Sequence, residues 1–112
     1  MKELKQATRK LLFELGAPIS SKGFGYAVEI LCDGVKTDTP IVSGRKMYAH
    51  WAPVFGDTSV RTERALRFVK DECWTENNPK FRSIFGHEDR KLGVYDFLEM
   101  LRFYLMDEME EK

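Results

Sequence analysis

Apolar residues recur along this chain at spacings of three and four, and no stretch alternates strictly between apolar and polar. The first spacing is the period of an amphipathic helix and the second that of a strand, so the pattern predicts an all-α domain. Leu4, Ala7, Thr8, Leu11 and Leu15 make one stripe of a helix from Lys2 to Leu15, ended by Gly16-Ala17-Pro18. Ser20 or Ser21 can cap a second helix from about Lys22 to Cys32, with Phe24, Tyr26 and Ile30 facing inward. Gly23 and Gly25 weaken its first turn and suit close helix packing. With no P-loop lysine after them, they are too short a motif for a nucleotide loop. Asp33 to Ser43, rich in Gly, Asp, Thr and Pro, predicts a connector. Thr75-Glu-Asn-Asn-Pro79 is a second break, after which Phe81, Ile84 and Phe85 mark a short helix stopped by Gly86. A last helix runs from about Val94 to Met109 with Val94, Phe97, Leu98, Leu101, Tyr104 and Leu105 on its stripe. Met100, Phe103 and Met106 lie off that stripe, so the pattern offers Met100 and Phe103 as a protein contact, with a centrally buried helix as the alternative.

The middle of the chain departs from this routine. From about Arg45 to Trp74, the turn signal Gly56-Asp57-Thr58-Ser59 separates a short apolar segment from a longer one carrying Arg61, Arg64, Arg67 and Lys70 at spacings of three. At about 100° per residue, Thr62, Ala65, Leu66, Val69 and Cys73 gather on one side, and Val60, Glu63, Arg64, Arg67 and Lys70 on the other. Asp57 or Thr58 can cap its start. Two helices joined by a tight turn, the second basic on its open face, are what a helix-turn-helix needs to enter the major groove. Arg64 and Arg67 can fork onto guanine, and Glu63 can accept from a cytosine amino group. Arg61, Lys70, Arg45 and Lys46, with Thr58 and Ser59 at the helix start, are placed for phosphates. A solvated amphipathic helix fits the same spacing. Pro53 requires the first helix of the pair to be short, start late or bend.

Composition narrows the class. The 112 residues suffice for one domain over 1–112 with a real core, and 43% apolar content makes it globular. Formal net charge is zero, which argues against indiscriminate nucleic-acid binding. The charge is unevenly placed, however. Gly44 to Lys70 holds six basic residues against Asp57 and Glu63, and Val94 to Lys112 holds six acidic residues against Arg102 and Lys112. A basic patch on a neutral chain suits a specific binder. No apolar run is long enough for a membrane, and the N-terminus reads as a charged helix rather than a signal peptide, so a cytoplasmic protein is expected. Cys32 and Cys73, both in apolar contexts, predict buried reduced thiols. His50 and His87 stand alone, without nucleophile or metal-ligand spacing, while Glu14, Glu29, Asp71 and Glu72 read as surface carboxylates. Neither an enzyme, a metal, a cofactor nor a small-molecule ligand is expected.

Several segments, in order, resemble the DNA-binding effector domain of the stage zero sporulation protein A family. Leu15-Gly-Ala-Pro18 and Lys22-Gly-Phe-Gly-Tyr26 are similar to that domain's Ile-Gly-Val-Pro and Lys-Gly-Tyr. Arg61-Thr-Glu63-Arg64-Ala65-Leu-Arg67 is similar to its recognition-helix signature Arg-Val-Glu-Arg-Ala-Ile-Arg. Trp74 falls where that helix ends in Trp, and Ser83-Ile-Phe85-Gly86 matches a Ser-Leu-Phe-Gly. The likeness covers about Leu11 to Glu108. It implies a compact bundle of about six helices with a helix-turn-helix, reading a short promoter box in double-stranded DNA as tandem copies or a homodimer. It also places Glu63, Arg64 and Arg67 on base-contacting positions, with Arg61 beside them. Three departures stand out: Val60 replaces a small polar residue near the phosphate backbone, Pro53 replaces a lysine, and the stretch after Gly86 is shorter. The family's regulators begin with a phosphorylated receiver domain, which these 112 residues do not include; a stand-alone domain and a piece of a longer regulator both fit the resemblance.

Two functions follow as expectations. One is a sequence-specific transcriptional regulator. The other is a receiver-less interaction module that pairs with or antagonises a full-length regulator through its last helix.

Overall fold

The computed structural model describes residues 2–41, 45–75, 77–86 and 92–110. Six helices follow one another: α1 (Lys2–Glu14), α2 (Lys22–Lys36), α3 (Arg45–Val54), α4 (Ser59–Cys73), α5 (Pro79–Phe85) and α6 (Val94–Glu110). No strand occurs among the described residues, so the all-α expectation holds. His87 and Glu111 lie outside them, as does the stretch after Gly86 that differs from the family.

Most helix ends follow the local chemistry. Ser21 caps α2, its Oγ accepting from the Phe24 amide at 3.3 Å, and Asn78 caps α5 ahead of Pro79. The Leu12 carbonyl accepts from the Ala17 amide at 2.9 Å while Phe13 accepts from Gly16, the paired bonds that close a helix around a C-terminal glycine. α2 runs four residues beyond its expected end at Cys32. Asp33-Gly34 read as a turn, but Gly34 is buried, and a Cβ there would meet the Arg102 side chain at 2.9 Å. The helix therefore continues because its small residue admits a neighbour, not because its propensity is high.

α2 is the hub: it packs on α4 most extensively and also on α1 and α6. Gly23 permits the first of these contacts, since a Cβ would collide with the Ala65 carbonyl. Gly25, by contrast, faces open space. Leu4, Leu11, Leu12, Leu15, Ile30, Leu31, Leu66 and Val69 fill the centre; Leu12 lies off the stripe read from the sequence yet is fully buried. The Phe81 and Phe85 rings meet at a tilt with centroids 4.8 Å apart, and Phe85 stacks nearly parallel on Phe97 at 5.5 Å. This aromatic cluster fastens the short α5 to α6.

Arg102 is the unexpected core residue. Facing outward by its charge, it is nonetheless 3% exposed. Its guanidinium grips both carboxylate oxygens of Glu99 at 2.8 Å and reaches Asp38 at 3.4 Å. Glu99 in turn accepts the Ile41 amide at 2.9 Å. A buried charge demands such pairing, and here the pairing ties the segment after α2 to α6. The Arg102 guanidinium holds the Glu99 carboxyl below its usual range.

Candidate nucleic-acid interface

α3 and α4 pack together across the turn 55–58. Ala52 accepts the Asp57 amide at 2.9 Å and Pro53 accepts that of Gly56 at 3.1 Å. Gly56 takes φ +65 at this point, a value that glycine adopts without a Cβ penalty. Pro53 stands next to last in the ten-residue α3, so the proline is accommodated by a short helix. Thr58 then caps α4, its Oγ1 accepting from the Arg61 amide at 3.1 Å.

The turn is held from outside by α2. Tyr26 donates its hydroxyl to Asp57 at 2.7 Å, and Lys22 pairs with the same carboxylate oxygen at 3.0 Å. The other oxygen accepts the Thr58 amide at 2.8 Å. These bonds, the one from Tyr26 foremost, lower the Asp57 pKa from 3.8 to about 2. The Tyr26 ring also stacks on Phe55, 4.0 Å between centroids and nearly parallel. Asp57 was legible as a possible cap; its role as an anchor between α2 and the turn was not. Lys22 and Tyr26 gave no sign of it beyond their place in a motif.

α4 divides as its periodicity requires. Thr62, Ala65, Leu66, Val69 and Cys73 are buried. Arg61, Arg64 and Arg67 are exposed on the far side, with Glu63 partly so. Glu63 and Arg67 pair at 2.9 Å, one turn apart; no ion pair of Arg61 or Arg64 is present among the described residues. Arg45 and Lys46 are exposed at the start of α3, and Thr58 and Ser59 at the start of α4. Arg45, Ser59 and Glu63 line one open concavity with Tyr48, Ala49 and Val60. Burial, with the Glu63 carboxylate nearby, pushes the Tyr48 phenol up to about 12, so it stays a neutral donor. Arg61 and Arg64 line another concavity with Lys22 and Phe68. Lys46 instead lines a separate concavity with Asp33, Ile41 and His50, so the basic residues spread over more than one concavity, all of them exposed except one.

That one is Lys70. Its spacing places it with the arginines, but it is 7% exposed. Its ammonium donates to the Leu92 carbonyl at 2.8 Å and lies 3.6 Å from Asp71. At about 180° from Arg61 and only about 40° from Leu66, it sits on the border of the buried face. A carbonyl 22 residues away then draws it in. The phosphate role expected of Lys70 is corrected accordingly.

On α6, Phe103 is 56% exposed and Met100 is half-buried. The Arg102 guanidinium lies 4.9 Å from the Phe103 ring. His50 is exposed on α3, edge-on to Trp51 at 5.2 Å. Cys32 and Cys73 are buried free thiols; burial pushes the Cys73 thiol up to about 12, which suppresses the reactive thiolate. Among the described residues no three His, Cys, Asp or Glu side chains gather as a metal site, and no helix is long and apolar enough to cross a membrane.

Comparison with known proteins gives the family. The family described as "Sporulation initiation factor Spo0A C terminal" matches residues 8–101, and the chain belongs to that family. It is a family of DNA-binding domains that regulate sporulation. No curated protein matches the chain.

Proposed function

We propose that this domain reads double-stranded DNA sequence-specifically as a transcriptional regulator, through a helix-turn-helix made of α3 and α4. The observation that carries this reading is the outer face of α4, where Arg61 and Arg64, without an ion pair among the described residues, stand exposed beside the Glu63–Arg67 pair. Arg64 and Arg67 fork onto guanine edges, and Glu63 accepts from a cytosine amino group. Arg61, Arg45, Lys46, Thr58 and Ser59 meet phosphates and set the register. The Glu63–Arg67 bond holds both side chains in place before DNA arrives and is exchanged for base contacts on binding.

Selection from a randomised duplex library at two salt concentrations tests the reading. An enriched motif with discrete positions is the expected result. Weak, salt-sensitive binding without a motif would reduce α4 to a phosphate-neutralising surface.

The exposed Phe103 favours a second element, a contact through α6 between two copies on tandem sites. Phe103→Glu is expected to remove cooperative occupancy of two boxes and to leave binding to one box unchanged. Equal loss at a single box would contradict the α6 contact.

A further inference from the structure

Val60 does not belong on a surface that only neutralises phosphate. It is 60% exposed at the second position of α4. At about 100° per residue it lies within about 60° of Glu63, Arg64 and Arg67, in the middle of the face rather than at its margin. The other large exposed apolar residue of α4, Phe68, lies about 80° away and two turns further on. There it lines the concavity shared with Ser21 and Lys22. Residues near the start of a reading helix are the ones that reach base edges. The family's small polar residue at this position lies near the phosphate backbone, but Val60 has no polar group to offer a phosphate. Its angular place among Glu63, Arg64 and Arg67 turns it toward base edges in a groove.

An aliphatic group set against phosphate strips water from the anion and returns no hydrogen bond, which costs binding. Among major-groove base edges the apolar group is the C5-methyl of thymine. Val60 also has apolar company, because Ala49 and the ring of Tyr48 line the same concavity of about 490 Å³. Arg45, Ser59 and Glu63 line it as well, so a base pair seated there meets polar partners beside apolar ones.

We propose that Val60 is a specificity-determining residue that reads a thymine methyl, with Ala49 and Tyr48 completing its apolar seat. The inference rests on the DNA-reading function proposed above and adds one base to it. Arg64, Arg67 and Glu63 select by hydrogen bonds; Val60 selects by shape and by exclusion of water from one methyl.

Deoxyuridine differs from thymidine by that methyl alone, which makes the test direct. The duplex enriched from the randomised library is resynthesised with each thymine replaced in turn by deoxyuridine. Each version is then titrated against the protein and against Val60→Ser. One replacement is expected to weaken the protein about fourfold, the value of burying a single methyl-sized group, and to leave Val60→Ser unaffected. Circular dichroism should show equal helicity, because the side chain is exposed. If deoxyuridine at every position affects both proteins equally, Val60 is not a methyl reader, although the motif itself still upholds DNA reading. If no duplex is enriched in the first place, the DNA-reading function fails and the Val60 assignment fails with it.

Discussion

The two faces of α4 are built from the same fifteen residues and obey opposite rules. The inner face is packed so closely that Gly23 of α2 touches the backbone at Ala65, and there volume decides what is tolerated. On the outer face, Arg61 and Arg64, without an ion pair among the described residues, and the Glu63–Arg67 pair stand toward solvent, and chemistry decides. A face that packs cannot also read, because the groups that recognise bases must stay outside the core and within reach of the groove. Lys70 shows the border between the two regimes: once its ammonium finds the Leu92 carbonyl, it belongs to the fold and is lost to the site. Arg102 makes the same point on α6, where an arginine is fully committed to Glu99 and Asp38.

If this division is right, inner-face changes alter stability without changing sequence preference, and outer-face changes do the reverse. The largest effect is expected from Gly23→Ala. The new Cβ collides with backbone, which cannot rotate away, so α2 and α4 must separate at a cost of about 3 kcal/mol. Urea denaturation measures it, and the motif bound by the surviving folded protein should be unchanged. Thr62→Val is the opposite case. Among the described residues, Thr62 Oγ1 is a buried polar atom without a hydrogen-bond partner. Replacing the hydroxyl by methyl removes that penalty and should stabilise the domain by about 1 kcal/mol, again with the motif intact. The family signature itself carries valine at this position.

Two lysines sharpen the border. Lys46→Ala should lower the slope of log binding constant against log salt by about one, with stability almost unaffected. Lys70→Met keeps the apolar stem, and it should leave the slope unchanged because that ammonium never reaches a phosphate. Equal slopes for the two variants would blur the division.

The smallest effect concerns the turn. Asp57 has a folded pKa of about 2 against an ordinary 3.8, so its bonds to Tyr26 and Lys22 contribute fully above pH 4. That contribution is lost as the pH falls through 2. Thermal melting of the protein and of Asp57→Asn should therefore differ most above pH 4 and converge toward pH 2.

Much of this was legible in the sequence, for reasons that can be stated residue by residue. The inner stripe of α4 and the cap at Thr58 depend on neighbours three and four residues away, which a helical period records. Arg61, Arg64 and Arg67 are exposed because nothing local gives them a reason to turn in. The misses all depend on distant residues. Lys70 is settled by Leu92, the length of α2 by Arg102, and the turn by Tyr26 and Lys22. In the sequence Arg102 is only a charge in the last helix, and its burial depends on Asp38 and Ile41, far along the chain. Such contacts leave no periodic trace.

The central claim is that the outer face reads bases rather than merely attracting DNA, and Arg64→Ala tests it most directly. Binding should be measured on the enriched duplex and on a scrambled duplex of the same composition. The account predicts a loss of about 1–3 kcal/mol on the enriched duplex, with preference relaxed at one base pair and little change on the scrambled one. An equal loss on both would contradict it and leave Arg64 a phosphate contact.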